Sequence, residues 1–127
     1  MIIKIPFKTP SVNKLYSPFR GHMILKKEAR EIKKEIAEIV EEWKLTEKGK
    51  EYYERKLIVS VEVYENWYCL DGSVKHKDVM NREKFLIDSI FEALGIDDKF
   101  IWEITIKKIQ SVEEKAIITI NVLEEIL

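Results

Sequence analysis

The stretch KDVMNREKFLIDSIFEALGIDDK, residues 77–99, predicts one amphipathic helix held between acidic ends. Four apolar side chains recur at helical spacing and form a stripe that would face a core: Ile87, Ile90, Phe91 and Leu94. Asp78 stands where such a helix would begin, and Gly95 stands where it would end. Asp97 and Asp98 follow directly, so carboxylates from both ends could meet if the next segment folded back across the helix. A meeting of this kind would suit a divalent metal ion.

The polar flank of the same helix carries Asn81, Lys84 and Asp88, which are spaced three and four residues apart. Spacing alone also allows purely structural roles for these residues. Asp78 can serve as an N-cap, the acidic pair can form a turn, and Lys84 with Asp88 can make an ion pair worth roughly 0.2–0.5 kcal/mol. By helical angle Met80 leans toward the apolar stripe, which favours a packing role for it.

Composition predicts one globular domain. The chain has 127 residues, of which 46% are hydrophobic and 35% charged, so we expect a single domain over residues 1–127. No apolar run approaches the roughly 20 residues that a membrane-spanning helix needs. Lys4 and Pro6 interrupt the apolar start before it could act as a signal sequence. We therefore expect a cytoplasmic protein without a membrane partner.

Charge is distributed unevenly, although the net charge is only −1. The overall balance lacks the clear basic excess that is usual for a nucleic-acid-binding domain. The first acidic residue is nevertheless Glu28, and six cations precede it: Lys4, Lys8, Lys14, Arg20, Lys26 and Lys27. Such a segment either tracks DNA phosphates or is a basic surface without a ligand.

Candidate DNA-binding side chains occur in two stretches: Asn13, Lys14, Arg20, Lys75 and Lys77. The first three lie in residues 9–23, whose Pro, Ser and Gly content predicts a long loop of the kind that is often functional. Their competing explanation is that they are exposed loop residues without a ligand. The two lysines come immediately before Asp78 and would set positive charge beside the acidic candidates.

The order of the predicted elements indicates the fold class. Alternating apolar residues predict four strands, near residues 3–7, 57–64, 100–107 and 116–122. A second helix is predicted over about residues 26–44. The resulting order, β-α-β-α-β-β, predicts an α+β domain with a mixed sheet packed against two helices. We expect parallel pairing where a helix separates two strands, and an antiparallel hairpin for the last two. Pro6 predicts that the first strand lies at an edge of the sheet or ends there.

These residues resemble the RusA-type endodeoxyribonucleases, a family that resolves Holliday junctions. Members carry an Asp-x-Asp-Asn stretch, a Lys three positions later, an Asp four after that Lys, and an Asp-Asp pair beyond the helix. The matching residues here are Asp78, Asn81, Lys84, Asp88, Asp97 and Asp98. Met80 stands where the family has its second Asp, which removes one metal ligand. The segment PSVNKLY, residues 10–16, is similar to the family's Pro-Ser-x-Asn segment, and the likeness covers most of the chain in order.

The resemblance implies a metal-dependent endodeoxyribonuclease that acts on branched DNA as a homodimer, with Mg²⁺ as the cofactor and Mn²⁺ as a possible substitute. It implies that Asp78 and Asp98 are catalytic metal ligands, with Asp97 as a further candidate ligand. Lys84 would stabilise negative charge on the scissile phosphate. A third ligand in place of Met80 would be Asp97 or Asp71. The alternative is a non-catalytic module of the same fold that binds branched DNA without cutting it.

Overall fold

A computed structural model describes residues 1–9, 16–19, 22–25, 27–46, 49–77 and 79–123. The described strands are numbered in chain order: β1 (Ile2–Ile5), β2 (Tyr16–Phe19), β3 (His22–Leu25), β4 (Leu57–Glu65), β5 (Ile101–Gln110) and β6 (Lys115–Val122). The main sheet contains β1, β4, β5 and β6, and a separate hairpin contains β2 and β3. The two helices are α1 (Lys27–Thr46) and α2 (Met80–Leu94), and short 3₁₀ turns cover Gly49–Tyr52 and Asp98–Phe100. The predicted α+β class and the β-α-β-α-β-β order of the main sheet are confirmed.

One face of the main sheet is buried against both helices. The strand order is β1-β6-β4-β5, and the inward residues follow the period of two that strand geometry imposes. Those of β4 and β6 are almost completely buried: Leu57, Val59, Val61, Val63, Ala116, Ile118 and Ile120. Helices α1 and α2 contact each other, and α1 also contacts β1, so both lie on this face. The core is the layer between them.

Chain direction explains why both helices lie on the same face. β4 and β5 are parallel neighbours joined through α2. β1 and β4 are each antiparallel to β6, so they too run in one direction, and α1 joins them. The connection from β1 to β4 through α1 and the connection from β4 to β5 through α2 both proceed toward the same edge of the sheet. Such connections are almost always right-handed, so the two helices lie on the same face of the sheet. The expected parallel pairing across a helix is confirmed for β4 and β5. It is wrong for β1 and β4, which run in the same direction but do not pair, because β6 lies between them.

The predicted hairpin of the last two strands is wrong. β6 lies between β1 and β4, and β5 lies beyond β4 at the edge. The inward residues of β6 are almost completely buried, whereas the inward Ile104 and Ile106 of β5 are exposed or only partly buried, as suits an edge strand. The connection, residues 111–114, crosses the end of β4, where the Ser111 N–H donates to the Glu65 carbonyl at 3.1 Å. Two inter-strand spacings are about 10 Å, which four residues can span.

The predicted loop over residues 9–23 is also wrong in part. β2 and β3 pair as an antiparallel two-stranded ribbon, with Tyr16 opposite Leu25 and Phe19 opposite His22. Only two residues separate the strands in sequence, which is the length of the tightest hairpin connections. Pro18 is compatible with the ribbon because each strand has one edge without a strand partner. Pro content therefore misled the sequence argument here.

The first strand and the two helices agree with the sequence prediction. β1 ends at Ile5, directly before Pro6, and is an edge strand. α2 ends at Gly95, whose left-handed φ of 73° suits glycine, and the Gly95 and Ile96 N–H groups donate to the Phe91 carbonyl. Within the ranges described, no helix is long and apolar enough to cross a membrane.

Candidate active site at the two ends of helix α2

A buried ion cluster joins the end of β4 to the start of α2. Glu65 is only 2% exposed, and Arg82, at 5%, places Nη1 2.9 Å from Glu65 Oε1. Lys77 Nζ lies 3.3 Å from Glu65 Oε2, and Lys8 Nζ lies 3.9 Å from the same oxygen. The Arg82 contact to Oε1 is not aligned as a hydrogen bond, so charge attraction dominates it. One carboxylate thus holds cations from three segments of the chain.

Arg82 also ties the N-terminal segment to this cluster. Its Nη1 donates to the carbonyl of buried Thr9, the last described residue before β2. Its guanidinium lies 6.0 Å from the ring centre of Trp67, which is itself buried and donates from Nε1 to the Val63 carbonyl. The first turn of α2 is therefore anchored to β4 and to residues 1–9.

Lysines and glutamates together line the surface beside this anchor, and Lys8 Nζ lies 3.6 Å from Glu114 Oε2. A cavity of about 440 Å³ is bordered by Lys8, Lys75, Gln110 and other side chains from the ends of β4 and β5. Burial lowers the pKa of Lys77, while Glu65 opposes that shift and Lys8 adds to it. Lys75 and Lys77, two of the predicted DNA-binding residues, are thus grouped with Lys8 at the start of α2.

The middle of α2 carries Lys84 and Asp88 on its solvent side, both exposed. Partial burial raises the pKa of Asp88, Lys84 lowers it, and the negative charge of Asp98 raises it further. Lys84 also lowers the pKa of Glu83, which burial and Asp88 raise. The polar flank of the helix is therefore an electrostatically coupled set, as its spacing predicted.

Asp97 and Asp98 lie at the other end of α2. Asp97 accepts a hydrogen bond from the Lys99 N–H at 2.9 Å and caps the turn that leads into β5. Asp97 therefore has the structural role in a turn that its position in the sequence allowed. Asp98 is exposed. Asp71, the other suggested third ligand, is held in a separate exposed turn by Ser73, which lowers its pKa.

One chain does not bring these acidic residues to the start of α2. Lys77 contacts Glu65 at the end of β4, whereas Ile101, three residues after Asp98, pairs with Leu57 at its beginning. The nine residues of β4 span about 26 Å, and the fifteen of α2 about 22 Å. Among the residues that the structure describes, no three His, Cys, Asp or Glu side chains group as a metal site. The segment after α2 runs back parallel to β4 as β5, and Asp97 and Asp98 lie just before the beginning of that strand.

The sequence matches the family model described as Endodeoxyribonuclease RusA over residues 6–121 of 127. The chain belongs to the RusA endodeoxyribonuclease family. No individual curated protein matches it. Family membership confirms the resemblance drawn from the spacing of acidic and basic residues around α2, and it makes an endodeoxyribonuclease the expected activity class.

Several of the predicted site residues lie outside the described part of the structure: Asn13, Lys14, Arg20 and Asp78, together with the side chain of Asn81. Lys77 and Val79, on either side of Asp78, are described. Helix α2 begins after Val79, which makes no side-chain cap. The predicted capping role of Asp78 stays a prediction, as do the ligand and catalytic roles of Asp78, Lys84, Asp97 and Asp98.

Met80, at the position of the family's second Asp, is 63% exposed. The packing role suggested by its helical angle is therefore wrong. Glu65 and Arg82 were not among the site residues predicted from the sequence. The sequence did indicate that Glu65 is buried, because Glu65 continues the alternation of inward-facing residues that runs from Leu57 to Val63. A charge at an inward position requires a buried partner.

Proposed function

We propose that this RusA-family chain is a Mg²⁺-dependent endodeoxyribonuclease that resolves Holliday junctions by paired symmetric nicks, acting as a homodimer in DNA recombination and repair in the cytoplasm. The observation that carries the proposal is the family match over residues 6–121, which includes the whole of α2 and both of its acidic ends. A two-fold dimer suits a four-way junction because the junction presents two equivalent strands.

The cations at the start of α2 support DNA binding. Lys8, Lys75 and Lys77 lie together there, and phosphate contacts of this kind position a protein on DNA without reading its sequence. Asn13, Lys14 and Arg20 complete the proposed contact set. Lys84 lies one helical turn beyond Met80 on the exposed side of α2, which fits a role in stabilising negative charge on the scissile phosphate.

Asp78 and Asp98, with Asp97 in support, are the proposed ligands of the metal ion. Bound Mg²⁺ supplies charge stabilisation and a polarised water for phosphodiester hydrolysis, and it prefers oxygen ligands. The described residues of one chain do not assemble such a ligand set. Lys77, the described neighbour of Asp78, lies at the end of β4, whereas Asp98 lies near the beginning of that strand.

A non-catalytic module that binds branched DNA is the second candidate. The observation that favours it is Met80, which offers no carboxylate at the family's second acidic position. Both candidates predict binding to a junction, but only the first predicts strand cleavage.

Cleavage of a labelled synthetic Holliday junction, beside a linear duplex of the same sequence, separates the two functions. With Mg²⁺ or Mn²⁺ we expect paired nicks in the junction alone, and none in EDTA. Tight junction binding without nicks under either metal would support the non-catalytic module. Equal cleavage of the linear duplex would contradict junction specificity.

Restoring the carboxylate by Met80→Asp is expected to lower the Mg²⁺ concentration needed for half-maximal cleavage by about 10-fold, a typical effect of a change around a metal site. The 63% exposure of Met80 means that the new charge is not buried. An acidic residue at the first turn of a helix is also favoured by the helix dipole, by about 0.3–1 kcal/mol. A Mg²⁺ titration of the cleavage rate measures the effect. Met80→Asn is the matched control, and equal midpoints for the two variants would show that the position does not face the metal.

A further inference from the structure

A short hairpin, residues 67–75, extends beyond the end of β4. Tyr68 lies opposite Val74 in its two arms, and the Lys75 N–H donates to the Trp67 carbonyl at 2.8 Å. Trp67 is 2% exposed, and its indole N–H donates to a carbonyl of β4. The base of the hairpin is therefore fixed in the core, while its tip projects away from the sheet.

The turn of this hairpin is closely braced. The Cys69 N–H donates to the Ser73 carbonyl at 2.7 Å, and the Gly72 N–H donates to the Cys69 carbonyl at 3.0 Å. Gly72 has a left-handed φ of 88°, as in the common three-residue hairpin loops that end in such a residue. Asp71 accepts hydrogen bonds from both the N–H and the hydroxyl of Ser73. Leu70, at the tip, is thus held on a well-defined backbone.

The hairpin exposes apolar side chains. Leu70 is fully exposed, and Tyr68 and Val74 are 45% and 55% exposed. Tyr68 and Val74 share one face because they lie directly opposite each other. Asp71 and Gly72 are typical turn residues, but Leu70 is not. Exposed apolar side chains that are grouped on one element, unlike single ones, indicate a binding surface.

Size and charge favour DNA over a protein as the partner of this surface. Three apolar side chains are far fewer than the roughly 20–30 residues that each side of a standard protein interface contributes. At the base of the hairpin, Lys75 borders a cavity together with Lys8 and Glu114, and the lysines suit phosphates. At the tip, the carboxylate of Asp71 beside Leu70 repels phosphates. The apolar tip therefore suits the uncharged face of a base.

We propose that this hairpin recognises the branch point of DNA, with Leu70 inserted against the base pair at the strand crossover and Tyr68 stacked beside it. In an open four-way junction the base pairs at the branch lack a stacked neighbour on one side. In a linear duplex the same insertion must first separate two stacked pairs, which costs free energy. The inference rests on the junction-binding part of the proposed function and names the side chains that distinguish a branch from linear DNA.

DNA binding measured in EDTA tests the hairpin separately from cleavage. Fluorescence anisotropy gives Kd for a synthetic junction and for a linear duplex of the same sequence. We expect the wild-type chain to prefer the junction. The double variant Leu70→Ser with Tyr68→Ser is expected to raise the junction Kd by about 10-fold or more, a typical loss when base stacking is removed, and to leave the duplex Kd nearly unchanged.

Matched variants separate insertion from a change in folding. Leu70 is fully exposed, so the fold does not depend on its side chain. Leu45→Ser makes the same change at a position of α1 that is 88% exposed, and it is expected to leave both Kd values unchanged. Leu70→Met keeps an apolar side chain at the tip and is expected to retain the preference for the junction.

Cys69 provides a second measurement without any substitution. It is the only cysteine in the chain, it is exposed, and it lies beside Leu70 in the turn. A saturating junction is expected to slow its alkylation by a maleimide about tenfold, the slowing that follows if the bound hairpin is accessible for about a tenth of the time. A saturating linear duplex is expected to leave the rate near that of the free protein.

Each outcome decides the proposal. An unchanged junction preference in the double variant would overturn it and leave the hairpin as a surface for a protein partner. Equal loss of junction and duplex binding, equal protection of Cys69 by the two DNAs, or a wild-type chain without preference would also overturn it. A wild-type chain that binds junctions through the hairpin but does not cut them would end the nuclease proposal and leave this inference standing.

Discussion

Asp98→Asn is expected to reduce Mg²⁺-dependent junction cleavage by at least about 100-fold, since even residues that only support metal ligands typically contribute 10–100-fold. The substitution replaces a charged oxygen donor with a neutral amide of the same shape. Asp98 is exposed, and its neighbour Asp97 caps the turn before β5, so the local fold does not depend on the Asp98 charge. Junction binding is expected to persist, because the grouped lysines lie at the other end of α2.

Single-turnover cleavage and a gel shift on the same junction measure the two quantities separately. Glu42→Gln on the exposed side of α1 is the matched control, because it removes one surface carboxylate from a helix that carries none of the proposed ligands. Wild-type cleavage by Asp98→Asn would show that this carboxylate does not hold the metal. Loss of both cleavage and thermal stability would instead indicate a structural role.

Glu65→Gln is expected to lower the free energy of unfolding by about 3–5 kcal/mol, the typical cost of removing one partner of a buried ion pair. Arg82 is 5% exposed and would keep its charge without a carboxylate at 2.9 Å. Lys77 and Lys8 would lose the same partner, although both reach water more easily. The start of α2 would then be held less firmly against β4, so cleavage is expected to fall as well.

Urea unfolding of Glu65→Gln, followed by circular dichroism, measures this loss. Glu62→Gln is the control on the same strand, where the side chain is only partly buried and faces away from the helices. The double variant Glu65→Leu with Arg82→Met is expected to recover much of the stability, because apolar residues of similar size can replace a buried pair. A change of less than about 1 kcal/mol in Glu65→Gln would mean that the cluster is open to water.

Sequence patterns alone predicted most of the secondary structure. The inward period of two in β4 and β6, the helical period in α1 and α2, and the stop at Gly95 are properties of neighbouring residues, so they can be read locally. The spacing of Asp78, Lys84 and Asp98 also identified the family, since it follows one helix and the turn after it. Residues 9–23 were misjudged because the two four-residue strands, YSPF and HMIL, have no clear alternation to set against the Pro and Gly signals.

The tertiary structure alone decided how the strands are ordered and where the acidic residues lie. β6 takes the position between β1 and β4 because its inward side chains need cover on both sides, a requirement that no local pattern expresses. The parallel crossover through α2 then fixes Asp98 at the opposite end of the sheet from Lys77. Glu65 finds Arg82 seventeen residues away for the same reason. Local spacing therefore indicated which residues to propose for the chemistry, and long-range packing placed Lys77 and Asp98 at opposite ends of β4.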